Sequence, residues 1–253
     1  ACLVLEHGCE ISHNDFWRLR MGEAGLNPKE VGWASVQLDG GIQRVLANIE
    51  AWFTAECQKL SKPEATTAGF SAVRLGIMAE GDVDQNTAFA LATLSQQIAS
   101  AGGTVILPAN DPLVVNDAFV QTLPMEKNEP PTAAFAQRVT KPSFHLMANP
   151  ASSWSETMTG LGAAGVELII AVCSRHAQQS HPFIPVLQVA SQDPPSRPFH
   201  ADMDLLLAGD APQRMEQLLV QLSAVLSRTK TPKAGRENNI SFQITRGQLG
   251  VSL

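Results

Sequence analysis

This chain lacks the features that would assign it to several large protein classes. No apolar stretch approaches the roughly 20 residues needed to cross a bilayer, and the N-terminus has no charged, apolar and small-residue order of a secretory leader. Basic runs are absent: 18 Lys and Arg stand against 24 Asp and Glu, giving a net charge of −6 and a pI near 5.5, which argues against nucleic acid as a partner. The four cysteines, Cys2, Cys9, Cys57 and Cys173, include no CxxC pair, so disulfides and structural zinc are poorly served and a reducing, cytoplasmic setting is expected. No internal repeat or low-complexity tract breaks the chain. What remains is a globular protein of 253 residues, 44% hydrophobic, with small molecules or other proteins as its expected partners.

The densest chemistry lies in VLEHGCEISHND, Val4 to Asp15, directly after the apolar run Leu3 to Leu5. Glu6, His7, Cys9, Glu10, His13, Asn14 and Asp15 would follow a strand, and the carboxyl ends of strands are where open α/β sheets bind ligands. Thiol, imidazole and carboxylate together suit metal binding and proton transfer. The plainer alternatives are a structural cysteine, surface or capping histidines and solvated carboxylates. His7 and His13 converge only if the chain turns between them.

Strand and helix patterns alternate along the chain. A helix is expected from Asn14 to Gly25, a strand over Val31 to Leu38, and a helix over Ile42 to Leu60 with Ile42, Val45, Leu46, Ile49, Trp52 and Phe53 on one face. Residues 61–69 have linker composition, dividing a first lobe, 1–60, from a second, 70–253. The second lobe shows strand Ala72 to Met78, helix Asp84 to Ala101 and strand Thr104 to Leu107, then a proline-rich excursion from Pro108 to Pro142 with a short helix near Asn116 to Thr122. It continues with strand Phe144 to Pro150, helix Ser153 to Ala164 and the nearly all-apolar strand from Val166, which reads as parallel and buried on both faces. Short strands at Ile184 to Ala190 and Met203 to Leu207, a helix from Pro212 to Leu226 and a closing strand near Ile240 to Ile244 complete the pattern. The expected class is α/β, with Rossmann-like three-layer lobes and mainly parallel sheets.

Other polar groups sit at strand ends. Asp39, Gly40 and Gly41 offer backbone amides to an anion or simply a tight turn, without the spacing of a dinucleotide fingerprint or P-loop. Glu80, Asp82 and Asp84 precede a helix, where capping is the favoured reading. Cys173, Arg175, His176 and His181 form a second thiol-and-imidazole group. The four tryptophans, Trp17, Trp33, Trp52 and Trp154, are most simply core.

The order GCE, HND, GWASVQLDGGI, LGI with an acidic glycine turn, AGGTVIL, NPAS, GAAGVELII and GVSL resembles the altronate and galactarate dehydratases, sugar-acid hydro-lyases that also include sulfolactate sulfo-lyase. The likeness spans nearly the whole chain but only the later part of those longer proteins, in keeping with an abrupt start that reads as a fragment. It implies dehydration of a sugar acid to a 2-keto-3-deoxy acid, with a divalent metal, usually iron, stabilising the enediolate. On this likeness His7, Cys9 and His13 would belong to the metal environment, Glu10 and Asp15 to proton handling, and Asp39, Gly40, Gly41 and Arg175 to substrate binding. Departures are marked. The turn Ala79 to Val83 keeps only Gly81 of the family's Cys-Gly-Gly-Ser-Asp, Arg175 alone survives of Gly-Arg-Gly-Thr-Pro, and a lysine-containing segment before Lys141 is missing. Three readings follow: a divergent dehydratase, a non-catalytic sugar-acid-binding or regulatory relative, or one subunit completed by a separate chain. A homo-oligomer fits any of them.

Overall fold

A computed structural model describes residues 1–10, 12–61, 66–123, 130–151, 153–191 and 198–243. The chain forms two compact units, Ala1–Thr66 and Thr67–Leu253. The expected α/β class is what the structure has. Ile244, Ser152 of the NPAS motif and the C-terminal GVSL lie outside the described residues.

Unit 1 is a single βαβ arrangement followed by a helix: β1 (Leu3–Glu6), α1 (Asn14–Glu23), β2 (Gly32–Ser35) and α2 (Ile42–Gln58). The strands pair in parallel from Leu3 with Gly32 to Glu6 with Ser35. Gly25, with φ of +73°, closes α1 in the left-handed conformation that favours glycine. Strand β2 is shorter than its pattern predicts because the chain turns at once: the amides of Asp39 and Gly41 donate to the carbonyls of Ser35 and Val36. The apolar stripe of α2 is present, but only Val45 of that helix is buried; Ile42, Leu46 and Phe53 are exposed.

Unit 2 holds a seven-stranded sheet in the order β5-β6-β4-β3-β7-β8-β9. The strands are β3 (Arg74–Glu80), β4 (Thr104–Pro108), β5 (Thr132–Ala133), β6 (Ser143–Met147), β7 (Leu168–Cys173), β8 (Val186–Ser191) and β9 (Leu205–Leu207), and every pairing is parallel. Without the edge strand β5, this is the doubly wound Rossmann order, whose reversal point lies between β3 and β7. The helices are α3 (Gln85–Ser100), α4 (Asp117–Thr122), α5 (Trp154–Ala163), α6 (Ala211–Leu226) and the short α7 (Lys233–Arg236). Period-two alternation along β7 sorts its side chains into two cores. Leu168, Ile170 and Val172 join Leu91, Leu94 and Leu218 on one face, whereas Ile169, Ala171 and Cys173 join Met158 and Leu161 on the other. All six β7 residues are buried, as a central parallel strand requires.

Three expectations need correction. The excursion after β4 is not wholly irregular, because Thr132 and Ala133 pair with Leu146 and Met147 as an added edge strand. Around Ile240 there is one isolated bridge to Ser180 rather than a closing strand. None of the four tryptophans is fully buried: each lies part-way between core and solvent.

Candidate functional site

In unit 1 the parallel register brings the carboxyl ends of β1 and β2 to one edge, where a cavity of about 370 Å³ opens among polar side chains. Glu6, 7% exposed at the end of β1, accepts a hydrogen bond from the Asn14 amide and so caps α1, whose own N-cap His13 makes no side-chain bond. The Asn14 side chain donates to the Ala34 carbonyl at 2.9 Å, tying α1 to β2. Its Oδ1 is buried without a partner among the described residues. Arg18 pairs with Asp15 at 2.8 Å and lies over the Trp33 ring, 4.7 Å from its centre. Asp39 turns back to accept from the Ser35 amide at 2.8 Å.

The predicted site residues divide. His13, Asp15 and Asp39 line this cavity. His7 and Cys9 are exposed, and Cys9 accepts from Gln37 Nε2 at 3.1 Å. That contact depends on Gly8, with φ of +115°, where an added Cβ would meet the Gln37 side chain at 2.7 Å. Glu10 folds onto its own loop, accepting from the amides of Gly8 at 2.8 Å and His7 at 2.7 Å. Those two amides pull its carboxyl down to about 2, so it holds no proton near neutral pH and is a weak base. Gly40 and Gly41, each with φ of +90°, shape the turn into α2, and the Gly41 amide is already engaged.

Among the described residues, no group of three or more His, Cys, Asp or Glu is placed to hold a metal ion. His7, Cys9 and His13 therefore do not form the donor set that the dehydratase likeness implies.

Arg175 belongs to unit 2. It follows β7 and reaches Glu80 at the end of β3 with 3.8 Å between Nε and Oε1, while its side chain remains 72% exposed. Gly81, with φ of +81°, leaves room for Ser174 beside this pair, since a Cβ there would lie 2.2 Å from Ser174 Oγ. Beside this pair, Asp82, Arg175 and His200 line a cavity of about 400 Å³. Cys173 at its base is not a reactive thiol: burial, reinforced by the Glu80 charge, pushes its pKa up to about 12. Of the acidic trio, Asp84 caps α3 through the amides of Asn86 and Thr87 and pairs with the buried Arg214 at 2.8 Å. His181 is structural, packed against Phe183 and Phe242, and burial lowers its pKa.

Sequence reasoning missed Glu6 as a cap, Arg18 on Trp33, Asp111 and Asn149. The last two follow β4 and β6, so strand-end position was the available signal.

The chain matches no known family model and no curated protein sequence. No described helix is long and apolar enough to cross a membrane.

Proposed function

We propose that this chain is a divergent relative of the altronate and galactarate dehydratases that binds a polyhydroxy carboxylate at the carboxyl edge of the β1–β2 sheet without dehydrating it. The observation carrying this reading is the 370 Å³ cavity lined by Arg18, Asn14 and Gln37 together with the carboxylates of Glu6, Asp15 and Asp39. The Arg18 guanidinium would exchange Asp15, its present partner at 2.8 Å, for the ligand carboxylate, and amide and carboxylate oxygens suit sugar hydroxyls. The unpartnered Asn14 Oδ1 gives a hydroxyl donor a specific place to bind. What speaks against dehydration is that Glu10 is committed to its loop and that the implied metal donors do not converge among the described residues.

A ligand selective for the folded state raises its melting temperature. Galactarate or altronate should therefore stabilise the protein, and Arg18→Ala should abolish the shift. No shift with any sugar acid would overturn the proposal.

A second reading is favoured by one feature of unit 1. Leu19, Leu26, Ile42, Leu46 and Phe53 are large, apolar and exposed, which suits a separate chain that completes the lobe. In that case a dehydratase activity would appear only when the completing chain is supplied.

A further inference from the structure

A cavity of about 330 Å³ lies within unit 2 at the carboxyl ends of β3, β4 and β6. Its polar lining is rich in acceptors, with Glu80, Asn110, Asp111 and Asn149, and includes the aromatic ring of Trp154. No Lys, Arg or His is among the described lining residues. Two acceptors, Glu80 Oε2 and Asn149 Oδ1, are buried without hydrogen-bond partners among the described residues. The amide orientation of Asn149 is set by its network: Nδ2 donates to Asn110 Oδ1 at 3.0 Å and to Thr157 Oγ1 at 3.1 Å, leaving Oδ1 open. Arg175 approaches only the other oxygen of Glu80, at 3.8 Å.

An unpartnered buried acceptor is costly, and more so on a charged group, so a ligand that donates to both atoms removes a penalty already present. An anion is disfavoured by Glu80. A metal ion is disfavoured because no three acidic, His or Cys groups converge among the described residues. A quaternary ammonium has no N–H to give. We propose that this cavity binds a small primary ammonium compound, its N–H groups donating to Glu80 Oε2 and Asn149 Oδ1 and its organic part lying against Trp154. Carboxylate, amide and indole supply charge, direction and a cation–π face together. This site is independent of the sugar-acid cavity, since every residue lining it belongs to unit 2.

The test is a titration of the full chain with n-butylammonium chloride, followed by NMR at the Trp154 indole and the Asn149 side-chain amide. Tetramethylammonium chloride and glycerol are run in parallel. Saturable shifts with n-butylammonium alone are expected, weakened about tenfold or more by Glu80→Gln, which keeps the shape and removes the charge. Asn149→Ala provides a second reading at the indole if the first variant does not fold. Equal shifts with tetramethylammonium, preferential binding of glycerol, or unchanged affinity in a folded variant would each overturn the proposal.

Discussion

Both units begin with the same parallel βαβ arrangement, yet they bury very different amounts of apolar surface. Unit 2 encloses all of β7 between two cores, whereas Ala34 and Val45 are the only buried hydrophobic residues described in unit 1. The chemistry runs the other way. Unit 1 has the densest run of thiol, imidazole and carboxylate, but most of it is exposed or turned onto its own backbone. Unit 2 has a sparser set of polar residues that its sheet holds in buried positions, with the unpartnered acceptors Glu80 Oε2 and Asn149 Oδ1 on residues that line a cavity. A polar cluster close in sequence is thus a weaker sign of a built site than polar groups converging from separate strand ends.

The largest effect expected from this contrast is on pH dependence in unit 2. Asp111 is 7% exposed, and burial raises its carboxyl from 3.8 to about 7 although the Leu113 and Ala79 amides oppose the rise. The folded state therefore holds a proton that the unfolded chain releases. This contribution is greatest below about pH 4, declines as pH rises towards 7 and is constant above it, by roughly 4 kcal/mol in all. Asp111→Asn should remove that slope, measured as the difference between wild-type and variant urea unfolding at pH 5 and pH 8. An unchanged slope would mean that Asp111 is ionised throughout.

Next in size is a paired truncation. Ile170→Ala in β7 should cost about 2–5 kcal/mol by leaving a cavity. Leu46→Ala on the exposed face of α2 should stay within about 0.5 kcal/mol. Chemical denaturation of both variants checks the contrast, and similar losses would break it by showing that α2 is covered. Asp84→Ala should cost about 3 kcal/mol, at the low end for a buried ion pair because Asp84 is 40% exposed while Arg214 is 3% exposed. The smallest effect is on thiol labelling: Cys2, Cys9 and Cys57 should react with a disulfide reagent in the folded protein and Cys173 only on unfolding.

Much of unit 2 was legible because its signals are local. The apolar run at β7, the Asp84 cap and the glycine-ended helices each declare an element without reference to the rest of the chain. Strand β5 was not, since Thr132 and Ala133 carry no period and become a strand only through pairing with β6. The burial of Arg214 was not legible either, because it goes with an ion pair to the distant Asp84. The periodicity of α2 was legible, but periodicity does not say whether anything covers the face. At the candidate site, spacing placed His13, Asp15 and Asp39 at strand ends and could not foresee Glu10 bonding to Gly8 and His7.

The most direct test of the proposed function is calorimetric titration of galactarate and altronate into the protein, once with ferrous iron and once with a chelator, followed by keto-acid analysis of both samples. Binding of the same strength in both, with no keto acid formed, is the predicted result. Binding that requires iron, accompanied by 2-keto-3-deoxy acid, would contradict it and restore the dehydratase reading.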